Sequence, residues 1–121
     1  MAKFLVLARG TGVRPEMRPE EIQQIMGKYI AWTDGLRNGG KLHDTNKLCD
    51  GEGRVMRRSN AKLMVTDGPY AESNEVLGGY WMLEADDYAQ AQRLLDSHPH
   101  LEFGTLEVRQ VADLTRLGFR A

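Results

Sequence analysis

The chain has 121 residues, the size of a single domain, here taken as residues 1–121. Hydrophobic residues make up 41% and charged residues 27%, and 16 basic side chains face 17 acidic ones for a net charge of −1. That is ordinary globular composition and gives no field that would mark a nucleic-acid or membrane surface. The single cysteine, Cys49, excludes an internal disulfide and has no C-x-x-C partner, which argues against a zinc or redox site.

The first element is predicted at Phe4–Ala8, a short apolar run without alternation, as expected of a central strand covered on both faces. It is far too short to span a membrane and carries no signal cleavage pattern, so a cytoplasmic, reduced setting is expected. A Gly-Thr-Gly loop and Pro15 end the strand. Pro19 opens a helix, with Glu20 and Glu21 in its first turn where the helix dipole favours acids. Ile22, Ile25, Met26, Tyr29, Ile30, Thr33 and Leu36 recur at steps of three and four and form its apolar face; Asn38-Gly39-Gly40 stops it. Lys41–Cys49 carries a weak strand signal. Arg54–Arg58 and Ala61–Thr66 read as a hairpin around Ser59-Asn60. Its arginines Arg54, Arg57 and Arg58 read as a solvated surface rather than a phosphate-binding patch. Gly79–Ala85 is a further strand, and Asp86 or Asp87 caps a second helix with Tyr88, Ala91, Leu94, Leu95 and His98 on one face. Pro99 ends that helix, Thr105–Val111 is the last strand, and Ala112–Ala121 is a peripheral tail.

The order β-α-β-β-α-β with an extra hairpin strand is a ferredoxin-like α+β arrangement, a split pair of βαβ units. Two helices cover one sheet face and leave the other bare. Trp81, Leu83, Leu5, Leu7 and Val111 are assigned to that bare face, which would expose a large apolar patch unless a second copy packs sheet against sheet. A homodimer is therefore expected.

Between the hairpin and the following strand lies Val65-Thr66-Asp67-Gly68-Pro69-Tyr70-Ala71-Glu72, then Leu77-Gly78-Gly79-Tyr80. Asp67-Gly68 makes a tight turn and Pro69 stiffens it, holding Asp67, Tyr70 and Glu72 in place. Paired glycines where the loop enters a strand point to a bulge or a close backbone approach. The stretch VTDGPYAESNEVLGGYWMLEADD, with SHP and LEVRQV downstream, resembles the DGPF-type branch of the YCII-related proteins over roughly Leu42–Val111. Tyr70 replaces the usual Phe, Ser73-Asn74 the usual Thr-Lys, and Gln110 the Pro of E-V-R-P. The resemblance implies a dimeric α+β barrel, and implies a fold more firmly than a reaction.

His98, just before Pro99, is a candidate general acid or base, with helix-end capping or packing as the alternative. Asp67 is either its orienting partner or an Asx-turn residue. As partners, the helix end and Asp67 would raise the His98 pKa above about 6.5. Tyr70 and Tyr29 are candidate oxyanion donors. Tyr29, Trp32, Glu72 and Trp81 are candidate substrate-binding residues, the aromatics suiting a planar ligand or, alternatively, the core. In the classical YCII branch, a His in the first helix and an Asp before the Pro after the second helix form a dyad. Here the first helix has no histidine, Tyr29 lies near the expected place, and His98 stands before the Pro, so the dyad does not carry over as such.

His43 and His100 complete the histidines, His100 being read as exposed, and their spacing fits no metal site. Glu107 and Arg109 share a face and are expected to pair with each other or with Arg9. No phosphate-loop, dinucleotide or nucleophile-elbow motif is present. The sequence does not decide whether the protein is an enzyme; as one, it would need no cofactor and would move protons on a small organic molecule by elimination or isomerisation. Alternatives are a non-catalytic ligand-binding or regulatory module, since DGPF-type members accompany sigma factors, and an oxygenase-like barrel. Neither nucleic acid nor membrane is an expected partner.

Overall fold

The structure is a computed structural model that describes residues 1–10, 14, 16–68 and 76–120. The elements follow in the order β1 (Ala2–Arg9), α1 (Pro19–Asn38), β2 (Leu42–Lys47), β3 (Arg54–Ser59), β4 (Lys62–Asp67), β5 (Leu77–Ala85), α2 (Tyr88–Leu95), a 3-10 turn (Pro99–Glu102) and β6 (Thr105–Gln110). Four strands form one antiparallel sheet ordered β2-β5-β1-β6. This is the ferredoxin-like α+β order, with the weakly signalled second strand present. The β3–β4 hairpin is not an added strand of that sheet; it pairs only within itself as a two-stranded sheet.

Local chemistry sets the helix boundaries. Pro19 occupies the first turn of α1, Glu21 bonds back to Arg18, and Gly40 leaves the helix at φ +74, a conformation glycine adopts without strain. Asp87 caps α2 by accepting from the Gln90 amide at 2.8 Å.

Strand register decides which side chains meet the helices. Phe4 lies opposite Leu83 and Val6 opposite Trp81. All four are buried and pack with Leu36 of α1 and with Ala91 and Leu95 of α2. Trp81 and Leu83 therefore belong to the helix-covered face, which corrects their assignment to the bare one. Period-two alternation places side chains correctly relative to one another but does not say which of the two faces the helices take. The bare face instead carries Leu5 and Leu7, opposite Met82 and Tyr80, all half-buried. Arg9, Glu107 and Arg109 lie on it too. Arg9 Nε donates to Glu107 at 3.0 Å and Arg109 Nη1 at 3.3 Å, so the expected ion pairs form, and hydrogen bonds from these guanidinium groups hold the Glu107 carboxyl below its usual range.

The two glycines entering β5 differ in role. The β1–β5 register passes from Ala8↔Gly79 to Arg9↔Leu77, so Gly78 sits in a bulge. A Cβ on Gly79 would lie 3.0 Å from the Asn46 carbonyl oxygen, tighter than β-carbons normally approach, whereas one on Gly78 would meet only ordinary contacts. Of the bulge or close approach expected of the pair, Gly78 shows the bulge and Gly79 the close approach. Among the described residues, no helix is long and apolar enough to cross a membrane.

Candidate functional site

A cavity of about 400 Å³ opens between α1 and the sheet, within the usual range for small-molecule sites. Tyr29 and Thr33 line it from the helix, Trp81 and Gly79 from β5, Ala8 from β1, and His100 from the 3-10 turn. Arg37 and Lys47 also border it, each held by a carboxylate three residues away, Asp34 at 2.6 Å and Asp50 at 2.7 Å.

Of the sequence-predicted aromatics, Tyr29 and Trp81 line the cavity; Trp32 does not, and packs instead against Trp81 and His98. The Trp81 indole N–H donates to Thr33 Oγ1 at 2.9 Å, and the Trp32 indole N–H to Ser97 Oγ at 3.1 Å. His98 is wedged between the two indoles, its ring 4.3 Å from Trp32 and 4.2 Å from Trp81. Tyr29 lies 6.4 Å from Trp81 and 6.1 Å from His98.

His98 is 2% exposed and does not border the cavity. Its Nδ1 accepts the backbone N–H of His100 at 3.0 Å, and among the described residues its Nε2 has no partner. Burial, with His100 nearby, pushes its pKa down to about 4. That overturns the expected rise. α2 ends at Leu95, so His98 follows the helix instead of sitting in its last turn. Among the described residues no carboxylate bonds to it. Asp67 ends β4, exposed, and forms no hydrogen bond with His98 among the described residues. Tyr70 and Glu72, the other loop candidates, lie outside the described residues.

His100 is where the sequence reading failed. It is 3% exposed, not on the surface. Its Nε2 lies 2.7 Å from the Arg9 carbonyl oxygen and its Nδ1 3.0 Å from the Tyr29 hydroxyl. A carbonyl can only accept, so Nε2 carries the proton. In the neutral ring Nδ1 is then bare, and Tyr29 donates to it. Burial, and the nearby Glu102 carboxylate, push the Tyr29 pKa up to about 12. The signal for His100 was the spacing His98-Pro99-His100. A proline opening a tight turn fixes its own φ and restricts the residue before it, but where the following side chain points depends on where β1 ends.

The arrangement is a phenol hydrogen-bonded to an imidazole at the cavity wall, with the imidazole anchored from behind by the Arg9 carbonyl. Among the described residues, no three His, Cys, Asp or Glu side chains gather as a metal ion would need.

Among curated proteins nothing matches the chain. Among solved structures it is similar to the 5-chloro-2-hydroxyhydroquinone dehydrochlorinase of Burkholderia phenoliruptrix AC1100, solved in complex with 2,5-dihydroxybenzoquinone. The identity is 14% and the TM-score 0.51, over 91% of this chain and 93% of that one, a likeness of fold. A family model for the YCII-related domain matches residues 3–115, nearly the whole chain, and this protein belongs to the YCII-related family.

Proposed function

We propose that this chain is an enzyme that moves a proton on a small, planar organic molecule bound between α1 and the sheet, in an elimination or isomerisation. The observation that carries the reading is the Tyr29–His100 hydrogen bond at the cavity wall. The substrate gives up a proton to the Tyr29 oxygen while the phenol proton passes to His100 Nδ1. The imidazolium so formed keeps both its N–H groups bonded, one to Tyr29 and one to the Arg9 carbonyl. No free phenolate arises, as a phenol pKa pushed up to about 12 requires. The reverse relay returns the proton to another substrate atom or to a departing group, so atoms and charge balance. Trp81 and Gly79 offer a flat wall to a ring, and the quinone held by the structurally similar dehydrochlorinase is of this shape.

Membership of the DGPF-type branch, which the run at 67–72 supports, belongs to the same proposal. So does a homodimer joined through Leu5, Leu7, Tyr80 and Met82, which the helices leave uncovered, and a cytoplasmic setting consistent with a lone cysteine.

The test is proton exchange. The purified protein is incubated in D2O with substituted quinols, enols and cyclic ketones, and deuterium uptake is followed by NMR. Uptake by wild type that falls in Tyr29→Phe and His100→Gln supports the reading. Compounds that bind without exchange or conversion overturn it and support a ligand-binding or regulatory module.

A further inference from the structure

His98 and Gly104 matter to the cavity without bordering it. His98 stands at the N-terminal end of the 3-10 turn, where its Nδ1 accepts the His100 N–H. Ser, Thr, Asn or Asp usually fill such a place. An imidazole here leaves a buried Nε2–H without a partner among the described residues, and an unmade buried hydrogen bond is costly. The same ring fills the gap between Trp32 and Trp81, so it braces the turn from the side as well as capping it.

Gly104 closes the turn on the other side, its amide bonding the His100 carbonyl at 2.9 Å. A Cβ there would lie 2.1 Å from the Arg9 carbonyl oxygen and 2.9 Å from His100 Nε2. Its backbone is not in the left-handed region, so the glycine is required by space, not by conformation. That space is occupied by the hydrogen bond fixing the His100 proton on Nε2.

We propose that His98 and Gly104 are positioning residues that together hold His100 in one orientation and one tautomer, Nδ1 bare toward Tyr29 and Nε2–H on the Arg9 carbonyl. This rests on the reading of Tyr29 and His100 as the proton relay for its purpose, though not for its geometry. His98 fixes the backbone from which the ring springs, and Gly104 admits the carbonyl that selects the protonated nitrogen. Losing either lets the ring turn or change tautomer, and the bare nitrogen no longer faces the phenol.

The experiment is a long-range proton–nitrogen correlation of the histidine rings in ¹⁵N-labelled protein. Wild type is expected to show His100 with a protonated, pyrrole-type Nε2 and a bare, pyridine-type Nδ1. His98→Asn, which keeps an acceptor for the His100 amide, preserves this pattern. His98→Ala and Gly104→Ala turn it into a mixture of tautomers, and in the exchange assay lower kcat by roughly 10²-fold at unchanged KM. A wild-type His100 protonated on Nδ1 overturns the proposal even if no variant folds. So does an unaltered pattern in either folded alanine variant. A wild type with the expected tautomer and no turnover leaves the cradle standing and removes the proposed enzyme.

Discussion

The Tyr29 hydroxyl and His100 Nδ1 lie 3.0 Å apart although 71 residues separate them in sequence. One comes from the middle of α1 and the other from a short turn after α2, and they meet at the cavity wall.

Tyr29→Phe removes the phenol and keeps the ring. Conversion of a competent substrate should fall about 10²- to 10⁴-fold in kcat, with KM nearly constant. Stability should drop by only about 1–2 kcal/mol, the cost of leaving the His100 nitrogen unpaired. Steady-state kinetics and chemical denaturation measure the two effects separately. A fall in KM-dependent affinity alone would assign Tyr29 to binding.

Acid should weaken the fold through His98. Its folded pKa is about 4 and lies below the value near 6.5 of an unfolded chain. Between those values the unfolded state binds the extra proton, so stability is fully present above about pH 6.5 and is lost as the pH falls toward 4. The loss is on the order of 3 kcal/mol. Protonation also removes the acceptor for the His100 amide, because Nδ1 is the free nitrogen. Urea melts from pH 7 to pH 4 should show this decline in wild type and a flatter one in His98→Asn; equal slopes would assign the acid loss to other groups.

The glycines entering β5 should separate on substitution. Gly79→Val pushes a branched side chain against the Asn46 carbonyl oxygen, 3.0 Å from where its Cβ must sit, and should cost about 1–3 kcal/mol by prying β2 from β5. Gly78→Ala, with nothing nearer than 3.6 Å, should change stability by less than about 1 kcal/mol. Thermal melts of both variants decide it, and equal losses would mean the bulge, not the space, sets the requirement.

The uncovered sheet face should be an interface between two copies. Light scattering of dilute wild type should give twice the 13.7 kDa chain mass. Leu5→Glu, which sets a carboxylate among Met82 and Arg109, should give the single chain mass with the fold retained. A monomeric wild type would remove the dimer from the proposal.

The sequence by itself determined the element order, because local chemistry marks the boundaries of α1 and the start of α2: Pro19, Gly39-Gly40, the Asp87 cap; Pro99 opens the turn after α2, which stops earlier, at Leu95. From these the ferredoxin-like order followed, and the period of α1 put Tyr29 and Thr33 on one face, which lines the cavity. What only the tertiary structure decided was orientation. Alternation along β5 was plain, but whether Trp81 faced the helices or the bare side depended on its pairing with Val6 across a nonlocal register. The depth of His100 was hidden for the same reason. A polar residue after a proline reads as surface until α1 and the end of β1 close over it. Asp67 was attractive because a rigid turn looks like a site, yet rigidity sets local geometry and says nothing of where the hairpin points. The Tyr29–His100 bond joins two segments that no local pattern connects; it exists because the sheet brings Arg9 and Gly104 together.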